Sequence, residues 1–524
     1  MTARIFLALL AVAAAAAADR DPFRPIRLPS ASRLAKEVEP QLPPGIVIEA
    51  APFDALVAKL LAPYEDDFAR RREAVAGLDA ARLKSAFGVM AKENADWRKR
   101  LARVEADYAE VYNRGWMEAS EKARDTRKMA AVLVPFYRTL MLRNRAVAAA
   151  ASPGPEALSA PDPDLRRAAV RALGRAGGAE ALAALVKAAG NDASARVRAE
   201  ALAALLRFKV AEMKEAPVAA LGDDAWEVRA LAVAILVRAR LVEAVPALID
   251  ALAAEKGRLR KDLDDALFAL TGTRMYGDVD LWRSWLETNR DLIAGKAREL
   301  AEAGEYDKAL GPLEEWGGAA AGEEGDESKR KGHTSAFYGI TTQSRRVVFI
   351  IDISQSMKDP AGAKPAATTG DRNPYTAPKG DTKLDIAKWQ LHRAIHDLPD
   401  DAVFGVIVYS ESYKSWEDEL VAAKSRGKKK AHAFVDDLNG NGTTNISDSL
   451  DRALDSGADT IFLLSDGDPN RGRVSSLDAL LDEVVARNRF ARVVIHTIGI
   501  GEAEGSSFLK ELANQTGGRY VGFR

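Results

Sequence analysis

Val347–Met357 reads VVFIIDISQSM. Five apolar residues run without a break into Asp352, followed by Ser354, Ser356 and Met357. A short apolar run with no polar alternation fits a strand buried on both faces of a parallel sheet. Side chains placed just after such a strand stand at the carboxyl rim of the sheet, where open α/β folds bind ligands. Asp-x-Ser-x-Ser sets one carboxylate and two hydroxyls on one small loop. These are hard oxygen donors, suited to Mg²⁺, Mn²⁺ or Ca²⁺.

The pattern around this stretch repeats. Apolar runs at Val403–Tyr409, Thr460–Leu464, Val493–Gly499 and Arg519–Phe523 alternate with helical segments at Leu384–Leu398, Lys430–Leu438, Ile446–Ser456, Leu477–Asn488 and Ser507–Gln515. Such alternation predicts an α/β doubly wound, mostly parallel sheet with helices on both faces. Tyr413–Trp416 is expected as one antiparallel edge strand. Ile461–Leu464 also ends in polar residues, Ser465 and Asp466, so Asp352 and Asp466 are expected to share one rim. A third loop, Gly440–Asn445, adds Thr443 and Thr444 ahead of the helix near Ile446.

Together these loops resemble a von Willebrand factor type A (VWA) domain with a metal-ion-dependent adhesion site. The resemblance runs from about Ser344 to the end, roughly one third of the chain. It assigns the metal ligands to Asp352, Ser354, Ser356, Thr444 and Asp466. It implies a Mg²⁺ ion, with Mn²⁺ or Ca²⁺ as alternatives, and an open position for an Asp or Glu carboxylate of a protein partner. Ile353 and Gln355 stand where many relatives have Gly. Thr443 also occupies a usual Gly place and competes with Thr444 as ligand. Lys358–Thr382 reads as an insertion directly after the metal loop.

The rest of the chain reads as helix. With 524 residues, roughly three or four domains are expected. Lys and Arg number 75 against 76 Asp and Glu, which gives no argument for nucleic acid or an anionic membrane. There is no cysteine, which excludes disulfides, thiolate metal sites and thiol catalysis. Arg4 and the apolar stretch Ile5–Ala18, broken by Asp19, read as a signal peptide over residues 1–18. Export to the periplasm, cell surface or medium is the expected localisation, with no membrane span. Residues 19–45 are a Pro- and Arg-rich lead-in, and 52–150 a helical region. Trp97, Tyr108, Tyr112 and Trp116 sit at core spacing there.

SPGPEALSAPDP (152–163) marks a break. After it, Arg166, Arg198 and Arg229 recur, each followed three residues later by Ala169, Ala201 and Ala232 and each preceded by an acidic turn. The recurrence looks like short HEAT repeats, an all-α solenoid of stacked helix pairs. Asp262–Thr271 is expected as a last helix, Gly277–Asn289 as a terminal cap with Trp282 and Trp285 packed, and Leu292–Trp316 as a hairpin turning at Gly304. The expected domains are thus a signal peptide (1–18), a lead-in and helical region (19–151), a HEAT-like solenoid with cap (152–316), a flexible linker (317–343) and the α/β domain (344–524).

The reading is of an exported interaction or adhesion protein and not an enzyme. A metal-assisted hydrolase and a scaffold with a non-functional metal loop are the alternatives. Against hydrolysis, the chain has no His-Glu-x-x-His, Walker A or Gly-x-Ser-x-Gly motif. His392 and His396, one helical turn apart, read as part of an ordinary amphipathic helix.

Overall fold

The computed structural model describes residues 21–38, 41, 51–113, 121–150, 155–313, 335–362, 373–410, 413–440, 444–467, 477–501 and 506–523. Residues 1–20, which hold the expected signal peptide, and 314–334, most of the expected linker, lie outside that set. So do Trp116 and the side chains of Tyr108 and Tyr112. The chain divides into two compact units, Met1–Ala204 and Leu205–Arg524.

In the first unit, three long helices, α2 (Ala51–Val75), α3 (Ala80–Asn113) and α4 (Glu121–Ala149), follow a short α1 (Ala31–Val38). Phe68, Phe87, Met90, Trp97, Phe136 and Leu140 fill their core. Arg71 is fully buried in this core. It donates to both oxygens of Glu93, at 2.7 Å each, and to the Arg24 carbonyl at 2.9 Å. Glu93 also accepts from the Ile26 amide at 2.6 Å. One ion pair therefore straps the Pro/Arg-rich lead-in onto the helices, and α1 lies within that lead-in, which the sequence reads only as extended.

The repeat arginines have a common job. The Nη1 of Arg166 donates to the Ala160 carbonyl, that of Arg198 to Asp192 and that of Arg229 to Asp223, at 2.9, 2.9 and 2.8 Å. Each acceptor lies six residues upstream, so each arginine ties the turn that opens its own helix. Arg166 also pairs with Asp192 at 2.8 Å, and Arg229 with Glu255 at 2.8 Å, each partner 26 residues downstream. This explains why Arg and the acidic turn repeat together.

In the second unit, α10 (Trp226–Arg238), α11 (Val245–Ala254), α12 (Leu259–Thr271) and α13 (Val279–Glu302) form a helical stack. The expected cap and the first limb of the expected hairpin are instead one helix, while 314–316 of the second limb lie outside the described residues. α13 runs 24 residues through the junction at 290–292, because nothing there breaks a helix. Trp282 is buried and meets Trp285 edge-on, with centroids 5.6 Å apart. Gly304, at φ 70°, ends the helix, and a short 3₁₀ turn, Glu305–Asp307, follows.

Among the described residues the sheet has seven strands. β3 (Arg346–Asp352) lies at its centre, parallel to both β4 (Val403–Tyr409) and β7 (Thr460–Ser465). β8 (Val494–Ile500) and β9 (Tyr520–Phe523) extend the parallel side. β5 (Tyr413–Ser415) is antiparallel to β4, the expected edge, and β6 (Val421–Ala422) joins β4 as well. The helix expected at Lys430–Leu438 starts earlier, as α15 (Ser425–Asp436). Its first turns are Ser-Arg-Gly-Lys-Lys-Lys, which shows no apolar period to read.

One expectation is corrected. The linker cannot run to residue 343, because β1 (Ser335–Phe337) and β2 (Ile340–Thr342) form a hairpin that belongs to the domain core. Its two-residue turn, Tyr338–Gly339, has φ of 48° and 77°, as a tight hairpin of this kind requires. Phe337 packs 5.3 Å from Phe349 and 5.6 Å from Phe462, measured between ring centroids.

The helical stack docks on the amino-terminal rim of this sheet. Trp226 Nε1 donates to the Gly457 carbonyl at 3.3 Å, just before β7, and Arg258 Nη2 to that of Arg492 at 3.1 Å, just before β8. His496 of β8 is buried, stacks on Phe462 and accepts the Arg519 amide at Nδ1. Burial first, then the charges of Arg519 and Arg258, push its pKa down to about 3. The unfolded chain binds that proton at an ordinary pKa near 6.5, so this group contributes stability that is lost as pH falls from about 6.5 towards 3. His496→Asn keeps an acceptor but cannot titrate. Thermal melts of wild type and variant should therefore diverge at neutral pH and converge, or cross, as the buffer is acidified towards pH 4.

Candidate functional site

The site is built where β3 and β7 stop. Asp352 closes β3 and has no solvent exposure. Its carboxylate accepts from the Ser354 amide at 2.7 Å and faces the Ser465 hydroxyl at 3.2 Å. The chain then turns in one 3₁₀ turn, Gln355–Lys358, anchored by fully buried Met357. This turn aims both serine hydroxyls the same way. Asp466, the residue after β7, is 3 % exposed and meets them.

Three oxygens form a triangle. Ser354 Oγ and Ser356 Oγ are 3.1 Å apart. Asp466 Oδ1 accepts from Ser356 at 2.9 Å and from Ser354 at 3.4 Å. An octahedral ion with oxygens at about 2.1 Å needs neighbouring oxygens about 3 Å apart. The donor set therefore fits a small divalent cation with little movement. The larger Ca²⁺, with oxygens at about 2.4 Å, asks for edges nearer 3.4 Å.

Thr444 is buried at the mouth of α16 (Ile446–Leu454). The next amide, Asn445, donates at 2.8 Å to the Ser410 carbonyl, directly after β4. That places Thr444 on the same carboxyl rim, while Thr443 lies outside the described residues. Ser410 is fully buried, and its hydroxyl has no partner among the described residues. It is an oxygen that no motif pointed to.

Lys383 is the other residue the sequence does not single out. It opens α14 (Lys383–Asp397), 7 % exposed, and its Nζ donates to Asp466 Oδ2 at 2.9 Å. A capping box fixes that helix start. Asp385 N donates to Thr382 Oγ1 at 3.1 Å, and Thr382 N to Asp385 Oδ2 at 3.3 Å. Gly501, at φ 63° after β8, leaves room for the lysine, because a Cβ there would lie 3.0 Å from its Cε. The Thr-x-x-Asp spacing was the readable signal, but nothing in the sequence aims this helix at the rim.

The insertion leaves and returns at one point. Ala361 N donates to Asp381 O at 2.9 Å and Lys383 N to Asp359 O at 3.0 Å, which zips its two ends together. Its middle, 363–372, lies outside the described residues. The returning limb lies along α14, where Tyr375 stacks on His392 with centroids 4.6 Å apart. His392 does not share a ligand with His396. Its Nδ1 meets His432 Nδ1 at 2.8 Å, a hydrogen-bonded pair, while its other nitrogen faces Asp436 at 3.4 Å. Among the described residues, no three His, Asp or Glu side chains converge to hold a metal ion. The triangle differs in kind, being two hydroxyls and one carboxylate.

Residues 379–521 match the family model of the von Willebrand factor type A domain, and 140–206 that of HEAT repeats. The chain carries a VWA domain. The matched VWA span includes Lys383, Thr444 and Asp466 and begins after the Asp352–Ser356 loop and most of the insertion. Human von Willebrand factor A domain-containing protein 3A is 30% identical over 156 residues, covering 29% of this chain and 12% of the relative. Human inter-alpha-trypsin inhibitor heavy chain H4 is 27% identical over 201 residues, covering 36% and 19%. This chain thus spans less than a fifth of the length of either relative. A solved von Willebrand factor type A structure from Catenulispora acidiphila is 24% identical, covers 35% of this chain and 40% of its own, and has a TM-score of 0.26. Among the described residues no helix is long and apolar enough to cross a membrane.

The electrostatics of the VWA site are set by burial. Loss of solvent, then the negative charge of Asp466, push the Asp352 pKa up to about 7, against the hydrogen bonds from Ser354 and Ser465. Folding stability is therefore lost as pH rises from about 4, where the unfolded chain ionises, to about 7, where the folded one does. In EDTA at pH 8, Asp352→Asn should raise the melting temperature of the VWA domain by a few degrees. The gain should shrink as the pH falls below about 7 and vanish only near pH 4, where the unfolded chain is protonated as well. An equal or lower melting temperature at pH 8 would show that the carboxylate is not under this strain.

Proposed function

We propose that the VWA domain holds a divalent cation, Mg²⁺ or Mn²⁺, and through it captures an Asp or Glu side chain of a protein partner. The observation that carries this reading is the oxygen triangle of Ser354, Ser356 and Asp466, with edges of 2.9, 3.1 and 3.4 Å, standing over fully buried Asp352. Ser354, Ser356 and Thr444 would offer neutral hydroxyls, and Asp352 and Asp466 the charge. A bound dication supplies an electrophilic centre for a carboxylate oxygen. Few directly ligating charges leave such an ion poorly neutralised, so that an added anion is favoured. The VWA relatives support an interaction role.

On this reading the HEAT-like solenoid (152–316) is the platform and the VWA domain (344–524) the recognition head. The solenoid's last helices hold the amino-terminal rim of the sheet through Trp226 and Arg258. The site therefore points away from them, because β3 and β7 are parallel and present their carboxyl ends opposite. The expected signal peptide at 1–18 would deliver the protein outside the cytoplasm, where acidic surfaces of other proteins are in reach.

Calorimetric titration tests the metal. Ser354→Ala and Asp466→Ala should each weaken Mg²⁺ binding by roughly tenfold or more, about 1.4 kcal/mol, without changing the far-ultraviolet circular dichroism. A panel of Asp- and Glu-bearing peptides should bind wild type in Mg²⁺ and not in EDTA. Peptide binding that survives EDTA, or survives both substitutions, would sink the reading.

A further inference from the structure

The Lys383 ammonium pairs with the Asp466 carboxylate and is too buried to be a solvated surface charge. Its side chain is 9% exposed and that of its partner Asp466 is 1%. Lys383 engages Oδ2 of Asp466, whereas the serine hydroxyls engage Oδ1. The two oxygens of one carboxylate therefore face two different groups: the Lys383 ammonium on one side and the two serine hydroxyls on the other. The lysine is held from three sides. The capping box fixes the helix start, the Lys383 amide is bonded to the Asp359 carbonyl, and Gly501 walls the stem.

We infer that Lys383 is a built-in countercharge that sets which ligand the metal site takes, weakening its hold on the bare ion and making the loaded site select for an anion. The inference rests on the metal reading above. Formal charge carries it. With both carboxylates ionised, as a bound dication favours, Asp352, Asp466 and Lys383 together carry one negative charge. Adding a divalent cation leaves the site one unit positive, and one incoming carboxylate brings it to neutrality. Without the lysine, the two carboxylates already neutralise the ion, and an incoming carboxylate would leave an excess negative charge in a buried site. Uncompensated charge is costly there. Lys383 is thus a positioning and charge-setting residue. It touches Asp466 and needs no contact with ion or partner.

The test titrates Mg²⁺ into the full-length chain by calorimetry, in sodium chloride and in sodium acetate of equal ionic strength, acetate standing for the partner carboxylate. For wild type, acetate should tighten Mg²⁺ binding severalfold. Lys383→Met should bind Mg²⁺ roughly tenfold or more tightly in chloride and gain nothing from acetate, while Lys383→Arg restores the wild-type pattern. Unchanged or weaker Mg²⁺ binding by Lys383→Met, or an acetate response equal to wild type, overturns the inference and leaves the metal site standing. No Mg²⁺ uptake by either protein overturns both. If Lys383→Met does not fold in EDTA, wild type still decides the matter through amine acetylation read by mass spectrometry. Lys383 should stay protected with and without Mg²⁺. Labelling that rises on adding Mg²⁺ would mean that the ammonium leaves Asp466, and would overturn the proposal.

Discussion

A carboxylate with no solvent exposure ends the central strand of the sheet, and much of the domain is arranged around that fact. Asp352 is affordable at this position only because its neighbours are polar and fixed. The Ser354 amide, the Ser465 hydroxyl and the turn pinned by Met357 all follow within a few residues of two strand ends. A second carboxylate, Asp466, stands in the same dry pocket and is held by a lysine. Two like charges and one opposite charge in so small a volume do not make a stable core. On the proposed reading, their charge is completed from outside.

The sheet itself was legible because burial on both faces leaves a plain mark. Val403–Tyr409 was read to the residue, and β3 and β7 to within one residue at either end, since parallel strands under helices are almost uninterrupted apolar runs. Asp352, Ser354, Ser356 and Asp466 do converge, as the rim argument requires, because parallel strands bring distant sequence to one edge. What stayed hidden had weak local marks. The first turns of α15 are lysine-rich with no apolar period, and the β1–β2 hairpin is two three-residue strands beside a charged tract. Lys383 was hidden for another reason. Its role depends on where a helix axis points, which follows from packing between α14 and the sheet and not from the residues around it.

The helical repeats show the same division between local and global causes. Arg166, Arg198 and Arg229 were visible by spacing alone, and the structure supplies the cause of that spacing in the carbonyl six residues upstream. The long α13 spans what the sequence predicts as two elements, a cap and the first limb of a hairpin. A helix needs a cap, a Pro or a Gly to stop, and 290–292 offers none.

Trp226 and Gly457 have a mechanical consequence. The Gly457 carbonyl that Trp226 holds lies just before β7, and Asp466 lies just after it. A pull on a partner gripped at the rim would enter the domain at one end of this strand and leave through the solenoid at the other. Tension then runs along β7, and the hydrogen bonds that tie it to β3 and β8 are loaded in shear, all at once and not one by one. A strand loaded this way is the strong direction of a sheet.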